Sequence, residues 1–159
     1  MKRVLALALA LVLVLSLVAC GGGEQKKDSK TPIADELKQA AEEDEKGGLY
    51  ERDWILYNWI TKSINSFKNP SSVELGEKYF YCKGTTEGEY KFFLVEIRAD
   101  NSFGGKSVGY CMVTPSSISE TEWQPLNGSF NYQGEEVYRR DIGSFLKDAV
   151  KEYIGNTYG

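Results

Sequence analysis

The sequence predicts an α+β domain: a small antiparallel β-sheet of three to five strands, packed with an N-terminal and a C-terminal amphipathic helix. Three observations carry this reading. Between Glu51 and Lys68 apolar residues return every 3.6 positions, at Leu56, Trp59 and Ile60, Ile64 and Phe67. Between Val73 and Thr114 the period shortens towards two, and the runs are separated by glycine-bearing turns. From Ile142 through Phe145, Leu146, Ala149, Val150, Tyr153 and Ile154 the longer period comes back. Helix, strands and helix in that order place the helices over one face of a sheet.

The chain divides into three parts: residues 1–19, a leader; residues 20–48, a tether; and residues 49–159, the domain. The leader begins with Lys2 and Arg3 and continues as an apolar run from Val4 to Val18, broken only by Ser16. About 15 residues are too few to cross a bilayer as a helix, which needs about 20, and the pattern is that of a secretory signal. The run ends in Leu17-Val18-Ala19-Cys20, followed by Gly21. This ending resembles the lipobox of bacterial lipoproteins. The resemblance implies a diacylglyceryl group on the Cys20 sulfur, cleavage before Cys20, and membrane attachment outside the cytoplasm. Two acyl chains hold stably where one holds only marginally.

Gly21 to Lys30 is polar and glycine-rich, a composition that builds no core. Pro32 suits a helix start and Gly47-Gly48 a helix stop, so 32–46 is expected to be helical with a thin apolar face of Ile33, Leu37, Ala40 and Ala41. The acidic run from Glu42 to Glu45 lacks the alternating ligands and turn glycine of a calcium loop and reads as a solvated face.

Within the domain, Asn69-Pro70 ends the first helix. Strands are expected at Val73 to Lys83, Tyr90 to Ala99 and Ser107 to Thr114, with Gly84 to Gly88 and Asp100 to Gly105 as turns. Pro115 to Gln124 reads as a loop. Asn127-Gly128 and Gly134 mark turns within an ambiguous stretch that could hold a short hairpin, and Gly155-Asn156 closes the last helix. The helix ending in Lys68-Asn69-Pro70-Ser71-Ser72, with strands joined by Ala99 to Gly105, resembles an uncharacterised domain of secreted and lipid-anchored Gram-positive proteins. The shared residues are turn-formers, so the resemblance implies an architecture and no activity.

Charge and composition narrow the function. The formal net charge is −4, and loss of Lys2 and Arg3 with the leader makes the remainder more acidic. A nucleic-acid partner, which needs a basic stripe, is not expected. Nor is there a polybasic patch for anionic lipid. The chain has no histidine, which excludes a histidine-dependent triad and removes the usual base for a cysteine nucleophile. Ser63 beside Lys62 and Ser107 beside Lys106 are ordinary surface composition. Glu87, Glu89, Glu96 and Asp100 could supply a carboxylate pair, but with 23 acids in the chain some pair always falls at a suitable separation. Gly104-Gly105-Lys106-Ser107 lacks the leading glycine of a phosphate loop. No metal or cofactor is expected.

Once Cys20 is assigned to lipid, Cys82 and Cys111 remain as an even pair. A disulfide between them requires the first and third strands to be neighbours, or a terminus where the middle strand is absent, because two strand spacings exceed the reach of the bond. Tyr79 and Tyr81 alternate with Phe80 and Cys82. If the latter pair faces inward, the two tyrosines form an outer face for a partner; the alternative is that a helix covers them. The expected function is therefore a non-catalytic module that binds an envelope protein, peptide or wall polymer. A histidine-free glycan hydrolase or a structural accessory of an envelope complex are the alternatives.

Overall fold

The structure, a computed structural model, describes residues 31–100 and 105–159. The stretch Leu17 to Cys20 lies outside the described residues, as do Asn101 to Gly104. Among the described residues there are three α-helices: α1 (Ile33–Glu42), α2 (Leu49–Ser63) and α3 (Ser144–Tyr158). The strands are β1 (Glu74–Lys83), β2 (Tyr90–Asp100), β3 (Lys106–Thr114), β4 (Ser117–Thr121), β5 (Asn131–Tyr132), β6 (Glu135–Glu136) and β7 (Tyr138–Asp141). Five of them make one antiparallel sheet in the order β4-β3-β2-β1-β7, and β5 pairs with β6 as a separate ribbon. The fold is α+β.

Alternation in β1 explains both layers. Tyr79 and Tyr81 point to the helices, where they join Phe93, Val95, Ile97, Cys111 and Val113 under Leu56, Ile60, Leu146 and Val150. Phe80 and Cys82 point the other way, with Phe92, Leu94 and Tyr110, and are covered by Trp123, Phe130, Tyr132 and Val137. The sheet is thus apolar on both faces. Between Leu75 and Tyr79 the register on β2 advances only from Ile97 to Val95. An even number of extra residues leaves the facing unchanged. Gly76 sits in this irregularity, where a Cβ would lie 2.5 Å from the Glu96 side chain.

Several boundaries differ from the sequence reading. The compact unit begins at Thr31, not at 49. Residues 33–42 are no tether: Leu37 is fully buried, Ala41 nearly so, and the Ile33 N–H donates to Glu152 Oε2 of α3 at 2.7 Å. A thin apolar face suffices for a helix that needs to fill only a groove between two others. Helix α2 ends at Ser63, and the chain tightens into 3₁₀ turns at Ile64–Ser66 and Pro70–Ser72. Tightening keeps Ile64 in the core and releases Phe67 into extended backbone. Within 115–124, expected as a loop, Ser117–Thr121 is strand β4. It carries one apolar residue, Ile118, paired with Val113, so its sequence lacks the alternation of a half-buried strand. Helix α3 runs through Gly155 and Asn156 to Tyr158, whose ring lies 6.5 Å from that of Tyr153. A glycine there costs about 1 kcal/mol and does not end the helix.

The two turn-rich segments that suggested the second resemblance meet in space. Asn69 Nδ2 donates to Asp100 Oδ2 at 2.9 Å, and the Asp100 N–H donates to Ser72 Oγ at 2.9 Å. The expected short hairpin is also present. Gln133 and Gly134 both have positive φ, 51° and 82°, between the paired residues Tyr132 and Glu135, as a two-residue type I′ turn requires.

Candidate functional site

The end of the sheet where β1 passes into β2 carries a cleft of about 460 Å³. One wall is the connection from α1 to α2, with Lys46 and Gly47. The other is the loop 84–89. The floor is Tyr81 and Arg52, and Lys83, Tyr90 and Arg140 complete the lining. Gly47 and Gly88 both take positive φ, and a Cβ at Gly88 would lie 2.8 Å from Lys46 Cγ. Glycine at 88 thus permits both the turn and the close approach of the walls.

The connection is held from within. The Gly47 N–H donates to Glu51, and Asp44 Oδ2 accepts from the N–H groups of Tyr50 (2.6 Å) and Glu51 (3.3 Å). Gly48, the residue at the α2 N-cap, offers no side chain, so Asp44 caps the helix from outside. Desolvation is the largest single influence and works against its charge. The backbone donors and the Arg52 charge outweigh this and hold the Asp44 carboxyl below its ordinary range. Within the acidic run Asp44 therefore serves as a helix cap.

Arg52 is 5% exposed. Its Nη2 donates to the Gly47 carbonyl at 2.7 Å, its guanidinium lies 4.4 Å from the centre of the Tyr81 ring, and Nε has no partner. The hydroxyls of Tyr79 and Tyr90 lie beside it. Asp53, 4% exposed, accepts from the Tyr79 hydroxyl at 3.0 Å. Burial pushes its carboxyl up to about 6, against the opposing pull of Tyr79 and Arg52. Arg140 lies 5.8 Å from the Tyr81 ring centre, and Lys83 Nζ lies 4.5 Å from that of Tyr138. These cations rest on aromatic faces.

They do not rest on carboxylates. The ion pairs among the described residues join Lys38 to Glu42, Lys91 to Glu135, Arg98 to Glu96, Lys106 to Glu74, Arg139 to Asp141 and Lys147 to Glu77. Lys46, Arg52, Lys83 and Arg140 appear in none of them. The carboxylates that line the cleft, Glu87 and Glu89, are exposed and share one loop. The arrangement can hold an anion. It does not set two acids on opposite walls as glycoside cleavage requires.

The residues singled out in the sequence are distributed elsewhere. Tyr79 is fully buried and Tyr81 is 5% exposed, so the expected outer tyrosine face is corrected: α2 and α3 lie over it. Tyr81 nonetheless reaches the cleft floor. Cys82 and Cys111 are free and buried. In the meander β1-β2-β3, Cys82 pairs with Phe92 and Cys111 with Val95, so they are two strands apart and on opposite faces. No disulfide can join them. Burial, with Glu135 beside Cys82 and Glu120 beside Cys111, raises both thiols, Cys111 to about 12. Ser63 is buried on α2 while Lys62 is exposed. Lys106 pairs with Glu74 at 2.6 Å, and Ser107 Oγ donates to the Ala99 carbonyl at 3.3 Å. Glu96 accepts from the Glu77 N–H at 3.3 Å, and Asp100 accepts from Asn69. Cys20 lies outside the described residues. Among the described residues no group of three or more Cys, Asp or Glu side chains is placed to hold a metal ion.

Sequence reasoning missed Arg52, Asp53, Lys46, Lys83 and Arg140. One signal was present for the first two: Arg52 and Asp53 stand one turn before Leu56 and Tyr57, on the buried stripe of α2. No family model, no curated protein and no solved structure matches this chain.

Proposed function

We propose that this protein is a lipoprotein of the bacterial envelope, held at the outer face of the cell membrane by a diacylglyceryl group on Cys20. Its α+β domain is a non-catalytic binding module that takes its partner in the cleft between Gly47 and the 84–89 loop. The observation that supports the binding role is the convergence of four cations, none in an ion pair among the described residues, on one concavity of an acidic chain. Leu17-Val18-Ala19-Cys20 supports the anchoring. The partner belongs to the envelope: a protein, a peptide or a wall polymer.

Each half has its own test. Cys20→Ala abolishes metabolic labelling with a fatty-acid probe; persistent labelling overturns the anchoring. Immobilised full chain enriches an envelope component over an unrelated tethered domain. Absence of enrichment overturns the binding role.

A further inference from the structure

The charges of the cleft say what kind of group fits it. Four cations reach it from four separate segments: Lys46 from the α1–α2 connection, Arg52 from α2, Lys83 from the end of β1 and Arg140 from β7. Elsewhere in the domain some cations sit beside carboxylates, as Lys106 does beside Glu74 and Lys147 beside Glu77, and others, Lys62, Lys68, Lys78 and Lys151, are in no ion pair among the described residues; what sets the cleft apart is that four cations line one recess. Arg52 is a buried guanidinium in no ion pair among the described residues and with an unpartnered Nε, and the nearby charges of Asp44 and Asp53 and the Tyr79 and Tyr90 hydroxyls lessen the cost of burying it. Tyr81 and the Gly47 carbonyl offset part of that cost. The remainder is what an anion over Tyr81 would offset.

Size and geometry select among anions. A volume of about 460 Å³ lies within the range of small-molecule sites. A carboxylate presents two oxygens in one plane and is satisfied by a single guanidinium fork. Donors arriving from four directions suit a tetrahedral group with oxygens on several sides. Arginine at the floor and lysines at the rim also match the usual division of labour in phosphate sites, bidentate recognition below and point charges above.

We infer that the cleft binds a phosphate ester, with the phosphoryl group seated over Tyr81 between Arg52 and Arg140 and approached by Lys46 and Lys83. This rests on the binding role proposed above and names its ligand class. The source is a soluble or polymer-borne ester, not the bilayer surface, because the cations line a recess and do not form a polybasic patch.

The test uses the full chain carrying Cys20→Ala, so that no acyl group contributes. It is titrated with glycerol 3-phosphate, inorganic phosphate, glucuronate and vesicles of pure phosphatidylglycerol. Saturable, salt-sensitive binding of glycerol 3-phosphate is expected, with inorganic phosphate competing and glucuronate at least tenfold weaker. Arg140→Ala and Lys83→Ala, both at exposed positions, each weaken it tenfold or more with unchanged circular dichroism. Lys62→Ala, an exposed cation outside the cleft, leaves it unchanged. Equal or tighter binding of glucuronate overturns the inference, as does an equal loss in Lys62→Ala, binding to vesicles alone, or no saturable binding. If envelope enrichment persists when phosphate esters fail to bind, the binding role stands and the ligand class falls. If fatty-acid labelling survives Cys20→Ala, the anchoring falls and this site is untouched.

Discussion

The two faces of the sheet are built from the same strands and covered in opposite ways. On one face α2 and α3 lie over Tyr79, Tyr81 and Phe93. On the other, a segment with two-residue strands lies over Phe80, Leu94 and Tyr110. The helices satisfy their own backbone groups, so their side chains are free to bury polar atoms: Arg52, Asp53 and the Tyr79 hydroxyl are all inside this layer. The 122–137 segment must instead be pinned by aromatics. Trp123 lies 4.9 Å from Phe80 and 5.2 Å from Tyr110, and its Nε1 donates to the Asn131 carbonyl at 2.7 Å. Phe130 lies 5.2 Å from Phe80. The difference shows where this domain buries its charges. The helical layer holds the buried charges and borders the cleft, while the aromatic layer closes the other side of the core.

If that contrast holds, the aromatic face fails by cavity and the helical face by charge. Phe80→Ala removes the hub of the aromatic layer, which is 1% exposed, and is expected to cost about 3–5 kcal/mol. Denaturant melts measure the loss. Hydrogen exchange should show faster exchange at Trp123 and Val137 and unchanged protection in α2. Loss of protection spread evenly over both layers would mean the faces are not separable.

Asp53→Asn tests the other side. The raised carboxyl binds its proton more tightly in the folded chain than in the unfolded one. Its contribution to stability is therefore greatest below the ordinary value of 3.8 and declines as pH rises through about 6. Over that interval the change is about 3 kcal/mol. Asparagine can still accept from Tyr79 without a charge. The variant is expected to be the more stable at pH 7, and the advantage should shrink towards pH 4. Arg52, Tyr79 and Asp44 are the groups that act on Asp53. A difference between variant and parent that is constant from pH 4 to 8 would refute the buried-charge account.

The smallest effect lies in the aromatic cover. Gln133 holds φ 51° at the β5–β6 turn, a conformation that costs a side-chain-bearing residue about 1–2 kcal/mol and asparagine less. Gln133→Asn should raise the melting midpoint by an amount equivalent to about 1 kcal/mol or less. Gln133 Nε2 also donates to the Tyr132 hydroxyl at 3.3 Å, and a lower midpoint would mean that this bond outweighs the backbone gain.

The three long strands and α2 were legible because each carries a period over many residues. The partition of the faces was not. Tyr79-Phe80-Tyr81-Cys82 is apolar at every position, so alternation says that two pairs oppose each other and does not say which pair meets the helices. Strand β4 was illegible because Ser-Ile-Ser-Glu-Thr has a single apolar residue and owes its place to pairing with β3. The cleft was illegible for a further reason. Lys83 and Arg140 are 57 positions apart and line one cleft only because β7 pairs with β1, with Arg140 opposite Tyr79 and Tyr138 opposite Tyr81. Arg52 and Asp53 alone carried a local warning, two charges on an apolar stripe.

The docking of α1 on α2 and α3 has a mechanical consequence. The first helix of the domain is bonded to its last, through Ile33 and Glu152, and its side chain Leu37 is locked beneath the core surface. A pull applied through residue 31 therefore loads this helix first. It must be peeled away, one side chain at a time, before any force reaches the hydrogen bonds of β1 and β2. For a domain tethered through its N-terminal side, α1 is a fuse: it takes up tension while the five-stranded sheet, and the cleft at its end, keep their shape.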